Sequence, residues 1–273
     1  MNKFLIFVVI IIFTQNCIKE ADNRLTHNNL NSTLWMQTAA EYVANSLQTY
    51  QTAAERLDSL INDKNHTALI EQKDNYQKLP PAIILDVDET VLDNSPYDAK
   101  LILDNKKHTS AEWNRWVSLE QAEAVPGAVK FLNKAQDMGI TIFFVTNRKC
   151  VPDDNVENPC PQDEQTFKNL QKVGIQNVKI ENVLLQNEQE TWKKDKTSRR
   201  EYVAQNYRVI MLFGDNLADF VSDTAKSFKQ RESHVLKYSD KWGTCWFMLA
   251  NPMYGNWHDA LIKPVEDNFS SYK

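Results

Sequence analysis

Three short apolar runs punctuate an otherwise polar chain: Ala82–Leu85, Ile140–Val145 and Val209–Phe213. Pro80-Pro81 precedes the first, Gly139 the second, and Gly214 stops the third. Continuous runs of this length, without alternation, predict strands buried on both faces. Val183–Leu185 is a weaker run of the same kind. Helical stretches lie between them. Pro126-Gly127 opens one that runs through Met138, a second covers about Asp163–Val173 and stops at Gly174, and a third covers Ser198–Gln205. Strands alternating with helices predict an α/β fold with a parallel sheet.

Upstream, Thr33–Leu60 lacks Gly and Pro. Trp35, Ala39, Tyr42, Ser46, Ala53, Leu57 and Leu60 recur there at helical spacing. One or two amphipathic helices packing on a core are expected. The chain opens differently. A positive head, Met1-Asn2-Lys3, leads into ten apolar residues, Phe4–Phe13, and then into polar sequence. That is the shape of a secretory signal peptide, and it is shorter than the roughly 20 residues that span a bilayer. Cys17 follows closely and suggests a lipidated cysteine, although Thr14-Gln15-Asn16 replaces the small apolar residues expected before it. Cleavage elsewhere and an uncleaved anchor are the alternatives.

The 273 residues carry 31 Lys+Arg against 36 Asp+Glu, a net charge of −5, with 42% apolar and 25% charged residues. This globular mix excludes a disordered acidic tail, a collagen and a transmembrane bundle. It also disfavours a nucleic-acid polymer as partner, which calls for a basic face. Cys150 and Cys160 flank the polar, turn-rich segment VPDDNVENP. A disulfide there and a set of free thiols are both open, and the lack of C-x-x-C disfavours a zinc knuckle.

Ligands of open α/β sheets bind beyond the carboxyl ends of the strands. The strand ends here read Asp86-Val87-Asp88-Glu89-Thr90, Thr146-Asn147-Arg148 and Gly214-Asp215-Asn216, with Asp219 shortly after. Asp86 and Asp215 are 215 − 86 = 129 positions apart, yet both fall on one rim. Carboxylates so gathered repel one another unless a cation neutralises them. An all-oxygen set with open positions suits Mg²⁺. Rival catalysts are missing. The six glycines (127, 139, 174, 214, 243 and 255) allow neither G-x-G-x-x-G nor a Walker A loop. No G-x-S-x-G elbow and no Cys with Arg six positions on occur.

Taken in order, ILDVDETVLDNSPY (ending at Tyr97), VPGAVKFL (125–132), VTNRK (145–149), KKDKTSRR (193–200) and LFGDNLADF (212–220) resemble the motifs of the haloacid dehalogenase (HAD) superfamily of phosphohydrolases. More closely they resemble its class C nonspecific acid phosphatases, bacterial outer-membrane lipoproteins that hydrolyse phosphomonoesters, often nucleoside monophosphates. The likeness runs from about residue 80 to residue 258. It implies a HAD-like core with a parallel sheet flanked by helices, plus a smaller helical domain. The divisions expected are 1–17 as signal or lipoprotein segment, 24–78 as N-terminal helical region, and 79–273 as core with a C-terminal tail partly in the small domain.

The resemblance also implies roles. Asp86 is the nucleophile, Asp88 the acid and base, and Thr146 with a lysine binds the phosphoryl oxygens. Asp215, the Asp86 carboxylate and the Asp88 backbone carbonyl hold Mg²⁺, with Asp219 behind. Within KKDKTSRR, a K-x-x-R pattern selects Lys196, with Arg199 as follower, and leaves Lys193 and Arg200 on a solvated helix face. Asn147, Trp113 and Tyr254 are the expected substrate contacts, the aromatics by stacking on the leaving group. The enzyme is expected to be secreted across the inner membrane, as an outer-membrane lipoprotein or a periplasmic protein, touching membrane through Cys17 if that residue is lipidated. A phosphotransferase, or a weakly active binding or storage protein on the same fold, is the alternative. One chain leaves the oligomeric state open.

Overall fold

The computed structural model describes residues 27–152, 159–224 and 227–272. The proposed leader, residues 1–17 with Cys17, lies outside them. The predicted strands form where the apolar runs stand: β1 (Pro81–Leu85), β4 (Thr141–Lys149), β5 (Val183–Gln186) and β6 (Arg208–Gly214). With β7 (Trp246–Met248) they build a five-stranded parallel sheet in the order β5-β4-β1-β6-β7. Every residue of β6 is buried, as its unbroken apolar run demands. A small antiparallel ribbon pairs β2 (Leu92–Asp93) with β3 (Glu123–Ala124).

The chain steps from β1 to β4 and β5 on one side, then returns to β6 and β7 on the other. The two directions part between β1 and β6, and the crevice that opens there is where such sheets bind ligands. Register puts Leu85 level with both Phe144 and Phe213. Asp86 N then donates to Phe213 O at 3.0 Å, so the residues after both strands emerge side by side.

The Thr33–Leu60 stretch forms two helices, α1 (Leu30–Thr38) and α2 (Ala40–Asn62), broken at Ala39, whose backbone is extended. The break lets α1 turn Met36 toward Tyr42 and Met253 in a small apolar cluster of their own, with Trp35 packed alongside. The rest of α2 faces the main core through Tyr50, Ala53, Leu57 and Leu60. Its neighbour α5 (Ala128–Asp137) adds Phe131, Leu132 and Ala135. Tyr50, Phe131, Phe213 and Phe247 form an aromatic column, with the Tyr50 and Phe213 rings stacked 5.5 Å apart. The Tyr50 hydroxyl donates to Thr90 O at 2.6 Å, which ties α2 to the loop after β1.

Further helices are α3 (Ser95–Leu103), α4 (Ser110–Leu119), α6 (Pro161–Lys172), α7 (Thr197–Ala204), α8 (Phe228–Lys237) and α9 (Asn256–Asp259). Cys150, just past β4, is joined by a disulfide to Cys160, just before α6, while Cys245 is buried as a thiol. No helix among the described residues is long and apolar enough to cross a membrane.

Arg208, fully buried at the start of β6, fastens α2 to the sheet. Its Nη1 donates to the carbonyls of Leu60, Asp63 and His66 at 3.1, 2.7 and 3.1 Å, and its Nη2 to Ile61 O at 2.8 Å. These include carbonyls that the end of a helix leaves without partners. We expect Arg208→Met to cost about 2–4 kcal/mol in urea unfolding, since several buried acceptors lose a charged donor. An unchanged unfolding midpoint would remove this role.

Candidate active site

The loop after β1 turns tightly. Glu89 sits in the left-handed region (φ 56°), and its N–H donates to Leu92 O at 2.8 Å. The turn returns the chain toward the sheet and leaves Asp86 and Asp88 at the carboxyl edge. Asp215 leaves the neighbouring β6, and Asp219 follows on a short 3-10 turn whose start is fixed by a capping box with Asn216. Gly214 has no room for a side chain, because a Cβ there would collide with Asp219.

One carboxylate oxygen each from Asp86, Asp215 and Asp219 lies within 4.8 Å of the others. Lys196, buried at the start of α7, faces this group, with Nζ 2.7 Å from Asp86 Oδ1 and 2.6 Å from Asp219 Oδ1. Burial alone would lower the Lys196 ammonium, but Asp219 and Asp86 outweigh it and raise it, so the cation is firmly held. Burial pushes Asp86 up to about 6, with Lys196 opposing and Asp219 and Asp88 adding to the rise. Asp215 is raised well above the usual carboxylate range by burial, then by Asp219 and Asp86. One ammonium does not neutralise three carboxylates. Beside the Lys196 ammonium, no further donor reaches the buried Asp86 Oδ1, so this oxygen retains accepting capacity. A hard divalent cation with oxygen ligands fits such a donor set. Asp215 is otherwise held by Thr90 Oγ1 at 3.3 Å and Asn251 Nδ2 at 2.8 Å.

The Asp88 carboxylate belongs to a separate network. Arg148 Nη2 and Nε donate to Asp88 Oδ1 at 2.8 and 3.0 Å, and Asn94 Nδ2 adds a third bond at 2.9 Å. Thr146 Oγ1 lies 3.4 Å from Asp88 Oδ2. Arg148 and Asn94 escaped the sequence reading, although each stands inside a quoted motif. A buried polar side chain (Asn94 0% and Arg148 2% exposed) was the missing signal, and sequence does not display burial.

The KKDKTSRR segment divides by burial. Lys193 and Lys194 are exposed, whereas Lys196, Arg199 and Arg200 are buried. Arg200 therefore departs from the expected solvated face. Its Nη2 donates to Glu71 Oε1 at 2.6 Å, and its Nη1 donates to Asp219 O at 3.2 Å. The reason is that α7 lies against the sheet, so consecutive positions 199 and 200 both point inward. Arg199 Nη1 donates to Thr146 O, and its Nη2 donates to Asn147 Oδ1 at 2.7 Å, which fixes the residues after β4's core. Burial lowers Arg199 to about 10, still charged at neutral pH.

The expected aromatics stand near this edge. Trp113 on α4 packs edge-on against Tyr97, ring centres 5.1 Å apart, and lies 5.8 Å from the Arg148 guanidinium. Tyr254 is 38% exposed, and its N–H donates at 3.3 Å to the Asn251 side chain that holds Asp215. Trp116 serves structure, with Nε1 donating to Asn94 Oδ1 at 2.8 Å.

The chain has known relatives. A structure of the class C acid phosphatase from Bacillus anthracis with tungstate bound shares 34% identity, covering 92% of this chain and 98% of that one, with a TM-score of 0.72. A second structure of that phosphatase gives a TM-score of 0.73 at the same identity and coverage. A stem 28 kDa glycoprotein of Glycine max is 28% identical over 178 residues, 63% of this chain and 58% of that protein. The chain thus spans a little over half the length of this curated relative. Residues 13–257 match the family model for acid phosphatases of HAD superfamily subfamily IIIB, and the chain belongs to that family.

Proposed function

We propose that this acid phosphatase hydrolyses phosphomonoesters with Mg²⁺ through an aspartyl-phosphate on Asp86. One observation carries the reading. Asp86 lies beside Lys196, in a group of three close carboxylates that could hold a metal, with Asp88 two positions on and separately held. Asp86 attacks phosphorus while Asp88 gives its proton to the departing alcohol. In the second half Asp88 takes a proton from water, whose oxygen displaces Asp86 and releases orthophosphate. Lys196 and the Thr146 hydroxyl bind the phosphoryl oxygens, and Asn147 lines the same edge. Asp86, Asp215 and the Asp88 backbone carbonyl would hold the ion, supported by Asp219. When bound, it screens the charge between an anionic nucleophile and an anionic phosphate. Trp113 and Tyr254 suit the ring of a nucleoside monophosphate, since stacking accepts any base. Tungstate in the Bacillus anthracis relative supports an oxyanion site on this fold.

The enzyme is further proposed to act outside the cytoplasm, as an outer-membrane lipoprotein or in the periplasm. The apolar run Phe4–Phe13 and the Cys150–Cys160 disulfide favour that address.

We expect Asp86→Asn to fold normally and to lower turnover by at least about a thousandfold in a phosphate-release assay. Near-normal hydrolysis would overturn the nucleophile assignment.

EDTA should abolish activity and Mg²⁺ restore it. A thermal readout accompanies this. Without metal, Asp86 rises from its ordinary 3.8 to about 6 in the fold, so the stability present below the lower value is lost as pH climbs toward the higher one. Mg²⁺ should therefore raise Tm by several degrees near pH 7 and little near pH 4 in scanning fluorimetry. Equal shifts at both pH values would argue against a carboxylate cage.

Mass spectrometry of the protein from native membranes should find acyl chains on Cys17. An unlipidated N-terminus would refute the anchor.

A further inference from the structure

Asp88 presents two unequal oxygens. Oδ1 accepts three bonds at 3.0 Å or less, from Asn94 Nδ2, Arg148 Nη2 and Arg148 Nε. Oδ2 has only the longer contacts, to Arg148 Nε at 3.3 Å and Thr146 Oγ1 at 3.4 Å. A carboxylic O–H does not point at N–H donors, so a proton on Asp88 belongs on Oδ2. The Thr146 hydroxyl already accepts from Arg148 N at 3.0 Å and can rotate with the proton.

The direction of the Asn94 amide decides this, and Trp116 settles it. The indole Nε1 is a donor only, so the Asn94 atom that it meets at 2.8 Å is oxygen, and the nitrogen turns to Asp88. The Asn94 backbone is pinned as well, its N–H donating to Glu89 Oε1 at 2.8 Å. Asn94 is fully buried.

We propose that Asn94 is a positioning residue that occupies Asp88 Oδ1 and so reserves Oδ2 for proton transfer, its own amide oriented by Trp116. The inference rests on the reading of Asp88 as acid and base. In the first half-reaction the Oδ2–H proton passes to the leaving oxygen as its bond to phosphorus breaks and the Asp86–phosphorus bond forms. In the second, Oδ2 takes a proton from water as the water oxygen bonds phosphorus and the Asp86 bond breaks. Without Asn94, Arg148 alone holds the carboxylate, and its Nε already reaches both oxygens, at 3.0 and 3.3 Å, so the broad terminal torsion gains freedom to bring either oxygen to the substrate.

Proton donation matters for a leaving alkoxide and hardly at all for a dinitrophenolate, which is stable as an anion. The test compares kcat/KM on glycerol phosphate and on 2,4-dinitrophenyl phosphate for the full-length protein and for Asn94→Ala, Trp116→Phe and Asp88→Asn. We expect Asn94→Ala to lower the alkyl-to-dinitrophenyl ratio by about tenfold or more, a fraction of what a placed general acid supplies. Trp116→Phe, which keeps the ring and removes the donor, should lower the ratio in the same sense by a smaller factor. If Asn94→Ala does not fold, Trp116→Phe carries the test alone. Equal losses on both esters in these two variants, with a lowered ratio in Asp88→Asn, would overturn the Asn94 role. An unchanged ratio in Asp88→Asn would instead overturn the acid assignment beneath it.

Discussion

Repulsion among carboxylates gathered at one edge of a parallel sheet is the constraint around which this molecule is arranged. Asp86, Asp215 and Asp219 share a small volume, and Asp88 stands beside them. Buried charges of one sign are costly unless paired and hydrogen-bonded. The surroundings answer with cations from different parts of the chain: Lys196 from α7 on Asp86 and Asp219, and Arg148 from β4 on Asp88. Arg200, itself paired with Glu71, adds a donor to the Asp219 carbonyl. Even so, the carboxylates of Asp86 and Asp215 remain raised, and that residual imbalance is what a bound ion would relieve.

The division of cations separates two tasks. Lys196 serves the carboxylates that, on the proposed mechanism, meet phosphorus and metal. Arg148, with Asn94 and Trp116, serves Asp88, which on that mechanism carries the proton transfers. The two networks come from opposite flanks of β1, the first across β6 and the second across β4. The crossover pattern of the sheet therefore has a chemical counterpart, because the end of β1 carries Asp86 toward β6 and Asp88 toward β4.

Much of this was legible in the sequence, for physical reasons. β1, β4 and β6 are buried on both faces and so appear as unbroken apolar runs, and the residues after each run locate the edge. β7 was not read, because three residues at Trp246–Met248 carry too little pattern. The Ala39 break in the long helical stretch has no Gly, Pro or polar cap to announce it, and it follows from packing around Met253. Arg200 was misread because an arginine in a basic run looks solvated until its burial and its partner Glu71, 200 − 71 = 129 residues earlier, are known. Asn94 and Arg148 were missed for the same reason. A single polar residue has no periodicity, and its meaning lies in what surrounds it.

The central position of β1 has a consequence for the order in which the protein takes shape. This strand is synthesised early, yet one of its two neighbours, β6, begins 208 − 81 = 127 residues later at Arg208. Until that segment is in place, one edge of β1 has no partner, and α2 lacks the arginine that fastens it. Pairings of such sequence separation close slowly, since loop entropy is lost before contacts are gained. Pairing with β4 can come first, and the β1–β6 pairing that completes the centre of the sheet comes later.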